Sequence, residues 1–336
     1  MTPMTTSRVT RRSTLGAVLA ASLLAAGSLA GCSQSAATSS APSSASATGA
    51  HWPVAVSVDG TTVTVPAEPT RIVAITSETG DLALKLAGPS RMAAISANSQ
   101  LPAMGTATDL AKQVPNTLPS TTDPDPEKVL SYQPDLIVST LRHDGEKAAN
   151  QQLEASGVPV ISLNPSDFTT PEGIESAIGT LGRAFGEQNK ATQLSDQMSA
   201  AMKAVDAERG ANHPTTLCLM ARGNSVMAMG DDQMLPGLVK RGGGTNAGAA
   251  VDLTQTRAVD AELIAKANPQ IIFLEDFMGT GNKPFASLLA NQAVAQVPAV
   301  ANKQIYLIPM TQASSISGTQ TPDGYRTIVD DLKKSS

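Results

Sequence analysis

The chain has 336 residues, enough for about two domains at the usual ~100–200 residues each. Lysine and arginine number 24 against 29 aspartate and glutamate, a formal net charge of −5, with 3 His and 2 Cys. That acidic balance argues against nucleic acid, which is held by Lys and Arg on phosphates; two Cys exclude a disulfide scaffold, and three scattered His exclude most His-rich zinc sites.

The amino terminus reads as an address. Arg8, Arg11 and Arg12 form a basic head, followed by the Ala/Leu-rich apolar run Leu15 to Ala30. That run is shorter than the ~20 residues of a membrane span but normal for a signal peptide. Leu29-Ala30-Gly31-Cys32 resembles the lipobox of bacterial lipoproteins, in which small residues fit the peptidase and the thiol takes a diacylglycerol. Residues 1–31 are therefore expected to be a signal peptide and Cys32 the lipidated residue, placing the protein on the extracytoplasmic face of a bacterial cell membrane. The Arg11-Arg12 pair leaves both Sec and twin-arginine export open. Residues 32–52, rich in Ser, Ala and Thr, bury too little apolar surface to offset their ordering entropy and are expected to be a disordered leash.

Next comes a hairpin signature, Val54 to Val58 and Thr61 to Val65 around Asp59-Gly60. Strands and helices then alternate. Arg71 to Ile75, Met92 to Ser96, Leu136 to Thr140 and Val158 to Leu163 read as strands. Ser77 to Ala87, Glu127 to Tyr132 and Glu146 to Ala155 read as helices. This alternation predicts a parallel sheet covered by helices over residues 53–168. Thr170-Pro171-Glu172 opens a further helix. Glu187 to Arg209 lacks Gly and Pro and carries one apolar face, which predicts a rod of about 35 Å at 1.5 Å per residue. Residues 169–210 are thus expected to be a helical linker, and a second α/β lobe is expected over 211–336. Cys218, inside the apolar run Thr215 to Met220, reads as a core residue. Gly242 to Ala247 matches a dinucleotide fingerprint but follows a helix, so a helix cap is the better reading.

The two lobes echo each other. Glu127 precedes Pro134 and a buried strand, and Glu262 precedes Pro269 and a buried strand, each at a spacing of seven. The repeated order predicts two lobes of like fold.

At this point the chain resembles the substrate-binding lipoproteins of ABC importers for iron complexes and cobalamin. The resemblance covers about residues 66–333. It rests on Pro69 to Thr76 with the Ser77-Glu78 turn, Pro134 to Val138, the long central helix, Gly242 to Ala247, and Val297 to Val300 before Gln304 to Ile308. It implies two α/β lobes joined by a single long rigid helix, with the ligand cleft between them. It also implies a monomer that delivers its ligand to an ABC permease dimer with its ATPase, using one exposed carboxylate per lobe. The echo places those carboxylates at Glu127 and Glu262; the plainer alternative is that each only complements its helix dipole. Relatives for bulky ligands line the cleft with Trp and Tyr; this chain has one Trp, beside the leash, which weakens cobalamin.

Ligands of open α/β sheets bind beyond the carboxyl ends of the strands. That rule selects Arg142 and Arg222, one per lobe, whose guanidiniums fork onto carboxylate or hydroxamate oxygens. The alternative is that they pair with Asp144 or Asp231. An iron complex of acidic character, a ferric siderophore before haem, is the expected ligand, flanked by Thr76, Ser77, His143, Met229, Phe277 and Gln312. His143 is either an iron ligand or an ordinary loop residue, and Met229 and Met310 are the thioethers placed at strand ends. No resident cofactor, metal site or nucleic-acid partner is expected. The competing class, a lipid-anchored α/β enzyme such as a hydrolase, needs a nucleophile, a base and an orienting group, and the sequence displays no such set.

Overall fold

The computed structural model describes residues 51–334. The expected signal peptide, Cys32 and nearly all of the leash lie outside the described residues.

Strands β1 (Val54–Val58) and β2 (Thr61–Val65) form the antiparallel hairpin, with positive φ at Asp59 (47°) and Gly60 (78°), as a two-residue turn of this hand requires. A parallel sheet follows, in the order β5-β4-β3-β6-β7. Its strands are β3 (Ile72–Ala74), β4 (Met92–Ser96), β5 (Thr117–Leu118), β6 (Leu136–Thr140) and β7 (Val160–Leu163). Every residue of β3, β4 and β6 is buried, which is why these strands read as unbroken rather than alternating runs. Helices α1 (Ser77–Leu86), α2 (Thr108–Ala111), α3 (Pro126–Ser131) and α4 (Asp144–Ala155) complete this lobe. Helix α4 starts two residues before the expected Glu146. The Glu146 carboxylate reaches back to accept from the backbone N–H of Arg142 (2.6 Å) and His143 (2.9 Å), which fixes the earlier start.

The linker is two helices, α5 (Pro171–Phe185) and α6 (Gln188–Asp206), separated by Gly186 at φ 75°. At 19 residues, α6 is about 28 Å long, shorter than expected. A Cβ on Gly182 would come within 2.3 Å of the Ala191 methyl, so only glycine lets α5 and α6 approach this closely. Both ends of the pair are clamped by arginine. Arg91 donates to the Pro69 (2.7 Å) and Phe185 (2.8 Å) carbonyls and to Glu187 (3.0 Å). Arg241 donates to Asp206 (2.8 Å) and Glu172 (2.8 Å), and the Tyr325 hydroxyl donates to Asp206 (2.7 Å).

The second lobe contains β8 (Thr215–Arg222), β9 (Ser225–Ala228), β10 (Thr245–Asn246), β11 (Arg257–Ala258), β12 (Ile271–Asp276) and β13 (Ile305–Pro309). Their order is β11-β9-β8-β12-β13, with β10 also beside β8. Here the sheet is mixed: β8, β12 and β13 are parallel, whereas Gly223 (φ 57°) turns β9 back antiparallel to β8. Its helices are α7 (Met234–Arg241), α8 (Ala261–Ala267), α9 (Ala286–Leu289), α10 (Pro298–Ala301), α11 (Met310–Ala313) and α12 (Thr321–Lys333).

The echo holds at atomic detail. Asp125 caps α3 by accepting from Glu127 N–H (2.9 Å), and Asp260 caps α8 by accepting from Leu263 N–H (2.8 Å). Gln133 (φ 51°) and Asn268 (φ 47°) each turn the chain before the matched proline. The next residue then staples the foot of the neighbouring strand. Asp135 accepts from Thr70 N–H (2.7 Å) and Arg71 N–H (2.9 Å), and Gln270 accepts from Thr215 N–H (2.9 Å).

One apolar core runs without a break from Ile72 and Ile95 through Phe168, Phe185, Met198 and Met202 to Phe273, Tyr325 and Ile328. The lobes therefore share a core along α5 and α6, while the outer face of each sheet keeps a core of its own. Alternation on β8 sends Leu217 and Leu219 outward and Cys218 inward. Cys218 is a free, buried thiol whose pKa burial pushes up, as its core reading requires. The expected class, two α/β lobes with a helical linker, is the class observed, the linker being a pair of helices rather than one.

Candidate functional site

At the carboxyl edge of the first sheet, β3 ends at Ala74, Ile75-Thr76 follow, and α1 begins at Ser77. Thr76 and Ser77 are both buried. The Thr76 hydroxyl is occupied by those of Thr79 (3.0 Å) and Thr140 (3.3 Å). Glu78 follows, 3 % exposed in the first turn of α1. Its carboxylate accepts from the Thr140 hydroxyl and meets Arg142 Nη2 at 2.7 Å. Strand β6 runs beside β3 and carries Arg142 just past its end, so neighbouring strands deliver the two charges to one point.

The second sheet repeats the arrangement with the charges exchanged. Arg222 ends β8 and Glu275 lies at the end of its neighbour β12. Arg222 Nη2 meets Glu275 Oε2 at 2.6 Å, and its Nη1 donates to the Ala221 carbonyl (2.9 Å). The Phe277 ring stacks 4.4 Å from the guanidinium carbon, holding its plane. Glu275 is 2 % exposed; burial pushes its carboxyl pKa up, and Arg222 opposes that. In both lobes the ion-pair contact is close yet lies outside hydrogen-bond alignment at Arg142 Nη2 and at Glu275 Oε2.

Both arginines keep part of their side chain open, 26 % for Arg142 and 33 % for Arg222. A guanidinium has five N–H donors in a fixed fork, and the pairs above use few of them. Each edge therefore presents an oriented donor plane backed by a buried carboxylate. The charge balance differs from expectation, because the guanidiniums are not a pair of uncompensated positive charges. Nor are their partners the aspartates considered from sequence. Asp144 pairs with Lys147 (3.0 Å), and Asp231 accepts from Asn246 (2.8 Å).

The remaining candidates divide. Phe277 is at the edge, and half-buried Gln312 sits on α11 directly after β13. His143 is exposed at the start of α4. Met229 is displaced from the edge: it is 3 % exposed in the shared core, its N–H on the Cys218 carbonyl (2.9 Å). The strand-end rule misplaced it because β9 runs antiparallel, so its end points back down the sheet. Met310 is also buried, at the end of β13. Among the described residues, no group of three or more His, Cys, Asp or Glu is placed to hold a metal ion. Glu127 and Glu262 are both exposed. Glu78 and Glu275 were missed; the signal for Glu275 was an acid directly after the apolar run Ile271-Ile272-Phe273-Leu274.

The sequence profile of the periplasmic binding protein family matches residues 72–311. The high-affinity haem uptake system protein IsdE of Staphylococcus aureus is 28% identical over 154 residues, 45% of this chain and 50% of that protein, so the match spans half the length of that curated relative. The periplasmic haem-binding protein RhuT of Roseiflexus superposes with a TM-score of 0.68 at 19% identity, covering 79% of this chain and 98% of that one. The siderophore-binding protein BauB, bound to ferric iron with two molecules of acinetobactin, superposes with a TM-score of 0.66 at 20% identity, covering 84% and 98%.

Proposed function

This chain belongs to the periplasmic binding protein family, and on that premise we propose that it is a receptor that captures an iron complex and delivers it to an ABC permease dimer with its ATPase. A ferric siderophore is the first candidate ligand and haem the second, in keeping with what BauB, RhuT and IsdE are named for. The receptor works as a monomer on the extracytoplasmic face, tethered through lipid on Cys32. No helix among the described residues is long and apolar enough to cross a membrane. It binds and delivers its ligand, and carries out no catalysis.

The observation that carries this reading is the pair of partly exposed guanidiniums, one at the carboxyl edge of each sheet. Arg142 and Arg222 grip ligand oxygens from opposite lobes, with Phe277, Gln312, Thr76, Ser77 and His143 at the same edges. The test is titration of the full chain with haem and with ferric siderophores, read by absorbance and Trp52 fluorescence. Arg222→Ala is expected to weaken binding about 10–100-fold, the loss of one charge-assisted contact. Unchanged affinity in Arg222→Ala, measured per folded molecule, would refute the gripping role.

A further inference from the structure

Each cleft arginine is matched by a carboxylate buried to within 3 % of complete exclusion from solvent, and the match is built differently in each lobe. Glu78 comes from the turn after β3 to meet an arginine after β6, whereas Glu275 comes from β12 to meet an arginine on β8. The pairs occupy corresponding strand positions with opposite polarity, so inheritance of one residue pattern does not account for both. Common to them is the result: one guanidinium plane per lobe, held from behind, with the formal charge of each edge cancelled. The neighbouring charged groups add no surplus positive charge: Lys147 is paired with Asp144, and Asp276 is a carboxylate that accepts from Gly281 N–H (2.8 Å).

From this geometry we infer that Glu78 and Glu275 are positioning and specificity-determining residues, which tune the cleft to iron complexes of low net charge. The inference rests on the receptor reading above and narrows its ligand class. A guanidinium that is ion-paired from behind still donates hydrogen bonds through its free N–H groups. It no longer offers a net charge to a polyanion, and a second anion brought close to the buried carboxylate is repelled. Ferric iron held by three hydroxamates is neutral, whereas the same ion held by three catecholates carries three negative charges. The first presents carbonyl-type oxygens that accept from an oriented fork without needing surplus positive charge. The expected preference for an acidic complex is thereby revised toward a neutral one.

The test compares a neutral ferric trihydroxamate with a trianionic ferric tricatecholate, titrated into the full chain at two ionic strengths. Wild type is expected to bind the neutral complex at least tenfold more tightly. Glu78→Gln with Glu275→Gln leaves both guanidiniums uncompensated. It is expected to move the ratio of affinities at least tenfold toward the trianion, with that gain shrinking at high salt. A ratio unchanged in the double variant assigns the carboxylates a purely structural role and overturns the inference. If the double variant does not fold, the wild-type ratio decides alone: equal or tighter binding of the trianion overturns it. Binding of neither complex instead removes the siderophore reading on which the inference stands.

Discussion

In the first lobe, Asp135 accepts from the backbone of Thr70 and Arg71; in the second, Gln270 accepts from the backbone of Thr215 at the same place. At the other end of the same strands the chemistry is exchanged, with Glu78 and Arg142 on one side and Arg222 and Glu275 on the other. The feet of the two sheets thus repeat one solution, and the rims do not. Stapling a parallel strand to its neighbour is a demand of the scaffold, which both lobes meet in the same way. On the receptor reading proposed above, the rim faces a ligand, and a ligand bound between two lobes has no reason to present the same atoms to both.

The largest effect expected of this comparison concerns the outer surface. Glu127 and Glu262 hold equivalent positions behind their capping aspartates, and both are exposed. Because Asp125 and Asp260 already cap the helix ends, the glutamates are free, on the receptor reading proposed above, to meet a two-fold permease, where exposed charge sets orientation and on-rate. Glu127→Gln with Glu262→Gln should abolish uptake in cells while ligand affinity and thermal stability stay near wild type. Normal uptake would leave the pair with only the dipole role, worth ~0.3–1 kcal/mol.

The next effect separates the rims. Among the described residues Glu275 has Arg222 as its one charged partner, whereas Glu78 also accepts from the Thr140 hydroxyl and lies near that of Ser77 (3.4 Å). Removing the arginine therefore strands Glu275 more completely. Arg222→Ala should cost about 3 kcal/mol, the low end for a broken buried pair because the guanidinium is a third exposed. Arg142→Ala should cost about 1–2 kcal/mol, since hydrogen bonds to Glu78 remain. Equal losses in denaturant melts would show that the two pairs are energetically alike despite their different surroundings.

The sequence made the scaffold legible because scaffold signals are local. Apolar runs, the Asp59-Gly60 turn, Thr170-Pro171 and the glutamate-to-proline spacing each act within a few residues. The rim was legible only by half. The strand-end rule reached Arg142 and Arg222, but for Met229 it assumed that every strand of the second sheet points the same way, and β9 does not. Glu78 and Arg142 are 64 residues apart, and Arg222 and Glu275 are 53 apart. No spacing rule connects such pairs; they meet through the pairing of β3 with β6 and of β8 with β12. The shared core was hidden for the same reason, since α5 and α6 read as a connector until Phe185, Met198 and Met202 are seen packed between the lobes.

A smaller, pH-dependent effect marks where the lobes touch. Asp81 on α1 is 2 % exposed; its Oδ2 accepts from Thr106 N–H and Oγ (2.9 Å), and its Oδ1 is buried without a hydrogen bond. One turn on, Lys85 donates to Thr319 of the other lobe, and burial pushes its pKa down. Burial pushes the Asp81 carboxyl up to about 6 from 3.8. A carboxyl raised on folding holds its proton longer in the folded chain. Its contribution to stability is therefore full below about pH 4 and is lost as pH rises through 6. Asp81→Asn should gain thermal stability relative to wild type between pH 4 and pH 7. A difference that stays constant across that window would place the titrating group elsewhere.

The smallest effect tests the shared feet. Asp135 is an ionised acceptor for Thr70 N–H, Thr70 Oγ (3.0 Å) and Arg71 N–H, whereas Gln270 is a neutral one for Thr215 N–H and Oγ (3.3 Å). Bonds to a charged acceptor are stronger, though solvent at these exposed positions reduces the difference. Asp135→Ala should cost about 1.5 kcal/mol and Gln270→Ala about 1 kcal/mol, each lowering the melting temperature by roughly 2–4 °C. The exchange Asp135→Asn should bring the first staple to the level of the second, because the amide oxygen accepts the same bonds without the charge. If Asp135→Asn instead matches Asp135→Ala, the first foot depends on charge alone, and the likeness between the lobes is one of position rather than mechanism.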